Sequence, residues 1–251
     1  MDLLFCGSFD SEERDAWLVE LQRAMPDTRW HLHAPTQNAG RIVAAVVANP
    51  PPGSLQGLPG LRLIQSLWAG VDRLLDDPSL PDVPLARMVD PAMSAAMAET
   101  ALWATLSLHR RFFDYAQQQR DRHWYPLPQR RADEIEIAVL GMGQMGRTCA
   151  RRLLETGYRV TGWNQHGGAI AGMALEHGLE ALWPLLARSD IVINLLPLTA
   201  QTADLLDRRF FAAMRRGAAL VNLARGGHLV EADLLQALDS GQLDRAVLDV
   251  F

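Results

Sequence analysis

The chain has 251 residues, 49% of them hydrophobic and 21% charged, which is the balance of a globular protein with room for one large domain or two ordinary ones. Its formal net charge of −5 offers no basic footprint for nucleic acid, and no apolar run reaches the length of a membrane span. All 24 basic residues are arginine, which excludes a Schiff-base lysine, a P-loop lysine and a lysine general base. The two cysteines, Cys6 and Cys149, make no disulfide framework and fit a reducing cytoplasm. The opening MDLLFCG is too short and wrongly flanked for a signal peptide.

In chain order, residues 3–6 read as a strand. Ser11 is expected to cap a helix with Glu12 and Glu13 in its first turn, and Trp17, Leu18, Leu21 and Met25 form its apolar stripe before Pro26 ends it. Strands are expected at 30–32, 42–48, 61–67 and 84–88, with Asn49-Pro50-Pro51-Pro52-Gly53 breaking the chain between two of them. Alternating strands and helices imply a parallel α/β unit, taken as residues 1–93. Residues 95–120 read as one long helix. Its first half is apolar on nearly all sides with Glu99 its only charge, so it is expected to be buried all round in an interface, and Glu99 to be a buried carboxylate retained by hydrogen bonds. That apolar helix suggests a homodimer. Residues 121–133, with Pro126, Pro128 and several arginines, form a polar connector, so 94–133 link into a second domain ending at 251.

The second domain opens on a short buried strand at 135–140, which runs into Gly141-x-Gly143-x-x-Gly146 and then a helix carrying Cys149, Ala150, Leu153 and Leu154 on one side. Strand, glycine turn and helix are the context a dinucleotide fingerprint requires. Gly141 permits the tight turn, Gly143 lets backbone approach a pyrophosphate, and Gly146 lets helix and strand pack closely. The phosphates would rest on free N–H groups at the positive end of the helix. Further strands are expected at 159–163, 190–196, 218–223 and 246–251, with helices at 208–214 and 231–240.

In a parallel sheet, ligands bind beyond the carboxyl ends of the strands. Five such ends carry suggestive residues: the glycine turn with Gln144 and Met145; Trp163, Asn164, Gln165 and His166; Leu196, Pro197 and Thr202; Leu223, Ala224 and Arg225; and Asp249. The ordered motifs GMGQMG, LLPLTAQTADLL, NLARGGHLVEADLLQAL and LDVF resemble the D-isomer-specific 2-hydroxyacid dehydrogenases, most closely the glyoxylate/hydroxypyruvate reductase A branch. The likeness is good over residues 60–251 and loose before that. It implies a flavodoxin-like substrate domain, a Rossmann nucleotide-binding domain, and hydride transfer between a nicotinamide ring and C2 of a small 2-oxo acid. Arg225 matches the catalytic arginine, and a guanidinium fork suits both carboxylate binding and carbonyl polarisation. Trp68, Ala69 and Gly70 match a loop that offers N–H groups to the substrate carboxylate, with Trp68 standing where a small residue is usual. Asp249 matches an acid facing the nicotinamide side, and Pro197 and Thr202 match a loop lining the cofactor.

NAD-binding folds place an acid about 20 residues past the glycines to bind the ribose 2′-hydroxyl. This chain has no acid between Glu155 and Glu176, which favours NADPH over NADH, and a protonatable His166 would make that preference pH-dependent. The arginine common there in NADPH-preferring relatives is missing too. The family's later glutamate and proton-donating histidine match nothing up to Phe251, and His228 reads best as the start of the helix that includes Glu231. Two expectations follow: a reductase whose natural chain continues past Phe251, which is favoured, or a nucleotide-binding protein with poor or no turnover. No metal site is expected.

Overall fold

The computed structural model describes residues 1–34 and 37–251 and divides the chain into two units, Met1–Val89 and Asp90–Phe251. In the first, β1 (Asp2–Gly7), β2 (Arg29–His31), β3 (Ile42–Ala48), β4 (Leu63–Ser66) and β5 (Leu85–Ala86) pair in parallel in the order β2-β1-β3-β4-β5. This is the flavodoxin-like order. Leu4, Ile42, Ala45, Val47, Leu58 and Ile64 form the core beneath it. Helix α1 (Ser11–Ala24) is capped one residue earlier than expected: Asp10, not Ser11, accepts the Glu13 N–H at 2.8 Å. A carboxylate at that position satisfies an orphan donor and meets the helix dipole together. A short helix, α2 (Asp72–Leu75), follows the loop that leaves β4.

The second unit begins with two helices, not one: α3 (Pro91–His109) and α4 (Phe112–Arg120). Arg111 between them takes a left-handed conformation, φ 60°, which an α-helix cannot continue through. Its guanidinium pairs with Asp114 at 2.7 Å and Asp244 at 3.1 Å. Asp90 caps α3 by accepting from the N–H groups of Ala92 and Met93, with Pro91 opening the helix. Burial of α3 is one-sided. Ala98, Ala101 and Ala104 join a core cluster with Cys149, Ala150 and Leu153, whereas Trp103 is 54% exposed and Glu99 lies on the solvent side. Within one chain, small residues on one face of α3 allow close packing there and leave the opposite face, with Glu99 and Trp103, uncovered.

Then follow β6 (Glu136–Leu140), α5 (Gln144–Glu155), β7 (Arg159–Asn164), β8 (Ala174–His177), α6 (Gly178–Arg188), β9 (Ile191–Asn194), α7 (Arg208–Ala213), β10 (Ala218–Asn222), α8 (Glu231–Asp239) and β11 (Leu243–Leu248). The sheet is parallel throughout, in the order β11-β10-β9-β6-β7-β8. Counted from β6, that is the doubly wound dinucleotide-binding order, with its topological switch between β6 and β9. β8 and α6 go beyond the sequence reading: a four-residue edge strand carries little pattern, and Pro184 inside α6 masks its helical stripe of Leu182, Leu185 and Leu186. β11 lies upstream of its expected span, leaving Asp249 just past the strand. At the amino end of the sheet Asp190 bonds Arg130 at 2.8 Å, Arg215 at 2.6 Å and the Glu136 N–H at 2.9 Å. Burial pushes both thiols up, Cys6 to about 11 and Cys149 to about 12, so neither is a ready nucleophile. Among the described residues no helix is long and apolar enough to cross a membrane, and no group of His, Cys, Asp or Glu is placed to hold a metal.

Candidate active site

The three glycines of the 141–146 turn have three separable reasons to be glycine. Gly141 has φ 94°, its N–H donates to the Trp163 carbonyl at 2.9 Å, and a Cβ on it would stand 2.5 Å from the Leu195 oxygen. A Cβ on Gly146 would stand 1.9 Å from the Gly141 oxygen. Gly143 caps α5 at an ordinary φ of −69°, and a Cβ there would meet nothing within 4 Å. The open space above Gly143 is where a ligand can come against the backbone. No side chain caps α5, so the first-turn N–H groups of Gln144 and Met145 point out of the helix without intrahelical partners. A diphosphate fits such a cradle. Arg147 folds back to donate from Nε to the Met142 carbonyl at 2.9 Å, bringing a cation beside the turn.

At the end of β7, Trp163 is 3% exposed and its indole N–H donates to the Gly178 carbonyl at 2.9 Å. Its side chain is core, so what it offers a ligand it offers through backbone. Asn164 is spent on its own turn: Oδ1 accepts the Gly167 N–H at 2.7 Å and Nδ2 donates to the Gly167 carbonyl at 3.1 Å. Gln165 and His166 are left exposed at the tip. Glu176, opposite Trp163 on β8, is paired with Arg188.

The loops after β9 and β10 are held together by buried amides. Asn194 Nδ2 donates to Asn222 Oδ1 at 3.0 Å, and Asn194 Oδ1 accepts the Leu196 N–H at 3.2 Å. Asn222 Nδ2 donates to the Arg225 carbonyl at 3.0 Å. These bonds fix where the two loops leave the sheet. Arg225 is half-buried, with one guanidinium N–H on the Ala224 carbonyl at 2.6 Å. Leu196, Leu223 and Ala224 are buried beside it. Pro197 is exposed and its carbonyl accepts the Thr202 hydroxyl at 2.7 Å, closing a turn whose Thr199 N–H rests on the same hydroxyl at 2.8 Å. Asp249 is exposed, its N–H on the Asn222 carbonyl at 3.0 Å.

His228 is the residue the sequence reading undervalued. It does not begin α8; it lies in a separate turn of 3₁₀ helix, Gly226–His228, and is fully buried. Nδ1 is 3.1 Å from the Arg225 carbonyl and Nε2 is 3.2 Å from the Pro197 carbonyl. With both ring nitrogens on backbone oxygens, it is not placed to hand a proton to a substrate. Its position directly after a glycine pair was the available signal, but spacing alone could not show which loop it reaches.

In the first unit, Ser66 holds the start of the candidate carboxylate loop, accepting the Trp68 N–H at 3.0 Å and donating to the Trp68 carbonyl at 3.2 Å. The Trp68 ring is 36% exposed, and Ala69 and Gly70 are half-buried.

Residues 102–251 match the family model of the D-isomer specific 2-hydroxyacid dehydrogenase, NAD binding domain. A glyoxylate/hydroxypyruvate reductase A from Serratia proteamaculans is 37% identical over 257 aligned positions, which take in 100% of this chain and 81% of that protein. A D-isomer specific 2-hydroxyacid dehydrogenase from Xanthobacter autotrophicus Py2, solved with NADPH and MES, superposes with a TM-score of 0.91 at 38% identity, covering 100% of this chain and 80% of the other. An NADPH-dependent glyoxylate/hydroxypyruvate reductase from Sinorhizobium meliloti, solved with NADP and sulfate, gives 0.89 at 32% identity and covers 100% and 81%. Glycine turn, strand order and the loop bearing Arg225 thus agree with sequence and structural likeness over the whole chain, and the protein belongs to the D-isomer specific 2-hydroxyacid dehydrogenase family.

Proposed function

We propose that the protein reduces a small 2-oxo acid of the glyoxylate and hydroxypyruvate class to the 2-hydroxy acid, using NADPH. The observation that carries this reading is the pairing of Asn194 with Asn222, which sets Arg225 at the same carboxyl edge of the sheet as the 141–146 turn. Gly143 with the N–H groups of Gln144 and Met145 would hold the diphosphate, and the loops at 164–168 and 196–202 would line the rest of the dinucleotide. NADPH supplies the hydride when bound. Arg225 binds the substrate carboxylate and polarises its carbonyl, stabilising the negative charge that grows on oxygen. Ala69 and Gly70 are proposed to offer N–H groups to a carboxylate, that of Trp68 being taken by Ser66 Oγ, and Asp249, just past the end of β11, is the acid proposed for the nicotinamide side.

Preference for NADPH is supported by the exposed tip of the β7 loop, which presents Gln165 and His166 and no carboxylate. The nearby Glu176 is neutralised by Arg188, so nothing there repels a 2′-phosphate. Relatives solved with NADPH or NADP agree with this assignment. A homodimer is the proposed assembly, supported by Trp103 and Phe112, each 54% exposed on α3 and α4. The two unpaired cysteines support a cytoplasmic location.

NADPH oxidation with glyoxylate and hydroxypyruvate, followed by the loss of NADPH absorbance, tests the reading: turnover with either, lost in Arg225→Gln, is expected. Tight NADPH binding with no turnover of either acid would favour the second reading, a silent nucleotide-binding protein. That alternative draws on one observation, that the histidine nearest Arg225 has both ring nitrogens on backbone carbonyls.

A further inference from the structure

We propose that His228 is a positioning residue that locks the arginine loop and the cofactor-lining loop into one unit, so that Arg225 and the Pro197 turn cannot adjust independently. The inference rests on the reading of Arg225 and Pro197 as substrate and cofactor residues. Four observations build it. The imidazole is 0% exposed, so its ring nitrogens have no water to turn to. One nitrogen faces the carbonyl of Arg225 itself at 3.1 Å and the other the carbonyl of Pro197 at 3.2 Å, thirty-one residues away in the chain; carbonyls only accept, so the full lock is the form in which both ring nitrogens carry a proton and donate. Each of those oxygens also accepts a second side chain: Asn222 Nδ2 at 3.0 Å on Arg225, and Thr202 Oγ1 at 2.7 Å on Pro197. The loops are also in close contact beside the ring, since a Cβ on Gly227 would stand 3.1 Å from Leu198 Cδ2 and the Asp204 N–H donates to the Gly227 carbonyl at 3.0 Å.

The contacts therefore close a ring: Leu196 N–H to Asn194, Asn194 to Asn222, Asn222 to the Arg225 carbonyl, that carbonyl to His228, and His228 to the Pro197 carbonyl. Leu196 and Pro197 are neighbours, so the ring begins and ends on one loop and passes through the other. A closed ring of buried polar groups resists displacement at every member, because moving one strands its partners away from water. Arg225 needs this support. Its catalytic use depends on placing a long side chain within a fraction of an ångström of a reacting carbonyl, and its backbone lies past the end of β10, in the extended residue that opens the 3₁₀ turn.

The two contacts can be separated. In His228→Asn the amide nitrogen takes the place of Nδ1 and keeps the Arg225 tie; in His228→Gln it takes the place of Nε2 and keeps the Pro197 tie; His228→Leu removes both. Asn is expected to weaken NADPH binding, measured by quenching of tryptophan fluorescence, with little change in the oxo-acid KM at saturating NADPH. Gln is expected to leave NADPH binding near the unsubstituted value and raise the oxo-acid KM. Leu is expected to do both, weakening NADPH about tenfold, the equivalent of roughly 1.4 kcal/mol and of one to two hydrogen bonds. Hydrogen exchange read by mass spectrometry should speed up at 197–203 in Asn, at 224–228 in Gln and at both in Leu. Equal effects of Asn and Gln, or exchange unchanged in Leu, would overturn the proposal and leave His228 a packing residue. If the variants fold poorly, nitrogen NMR of the unsubstituted protein decides: protected protons on both ring nitrogens support the lock, and a ring with a proton on only one nitrogen overturns it. Absence of oxo-acid turnover in the unsubstituted protein would sink the reductase reading alone, since exchange and NADPH binding still judge the lock.

Discussion

The carbonyl oxygen of Gly141 occupies the space from which a side chain on Gly146 would have to grow, 1.9 Å from the Cβ position. Gly143, between them, meets nothing within 4 Å and has φ −69°, which any residue adopts. Alanine therefore separates folding from binding in this turn. Gly146→Ala should destabilise the protein by about 1–3 kcal/mol through overpacking, seen as a lower urea midpoint. Gly143→Ala should leave that midpoint unchanged and weaken NADPH at least tenfold, since the methyl fills space a phosphate needs, a loss of about 1.4 kcal/mol. Equal unfolding midpoints for the two variants would refute this division.

Arg225→Lys keeps a cation but loses the planar fork that grips a carboxylate at two points. It should lower kcat/KM for glyoxylate by about 10²–10³ while NADPH binding stays within twofold, the pattern of a group that acts on the developing oxyanion. Steady-state kinetics with a parallel binding titration measures both quantities.

Asn222 accepts from Asn194 and from the Ala224 N–H at 3.3 Å and donates to Arg225. Truncation in Asn222→Ala leaves these buried partners unsatisfied, with a cost of about 2–3 kcal/mol by chemical denaturation. Activity should fall further than stability explains, because the amide also sets the Arg225 backbone.

Asp190 links Arg130, Arg215 and the amino end of β6. Burial alone would raise its carboxyl, but hydrogen bonds from Arg130 and the Glu136 N–H, with the charges of Arg130 and Arg215, outweigh that and hold it below the ordinary carboxylate range. A group depressed in the folded state stabilises above its unfolded pKa and loses that contribution as pH falls through the folded one. Asp190→Asn should therefore be less stable by about 1.5–3 kcal/mol at neutral pH, as expected for bonds to a charged group. The gap to the unsubstituted protein should hold across the neutral range and close only at pH below the usual carboxylate pKa, which urea unfolding across a pH series reads directly.

Gln165 is exposed at the tip of the loop after β7, the loop proposed to meet the adenosine ribose. Gln165→Asp should weaken NADPH about tenfold by like-charge repulsion and spare or improve NADH, inverting the preference without touching the folding midpoint. Binding of the two cofactors, compared in one buffer, measures the switch.

Much of this was legible in order along the chain. The run at 135–140 followed by three spaced glycines fixes a strand, a turn and a helix, because only glycine tolerates the Gly141 conformation and the Gly146 contact. Near-continuous apolar runs likewise located β3, β9 and β10, as strands covered on both faces must be. Other features were illegible for physical reasons. The break at Arg111 depends on a single left-handed residue held by partners at Asp114 and Asp244, the second of them far along the chain. Glu99 and Trp103 looked buried because their helix is apolar all round, yet which face meets α5 is decided by the small side chains opposite them.

What the sequence determined by itself was local: periodicity, turn chemistry and the order of motifs, each written within a dozen or so residues of chain. What only the tertiary structure decided was which distant polar groups meet. Asn194, Asn222 and His228 carry no periodic signal, and each would read as an ordinary turn or cap residue until the sheet sets β9 beside β10. Their hydrogen bonds exist because burial there removes water as an alternative partner, and burial is a property of the assembled sheet, not of any one stretch of chain.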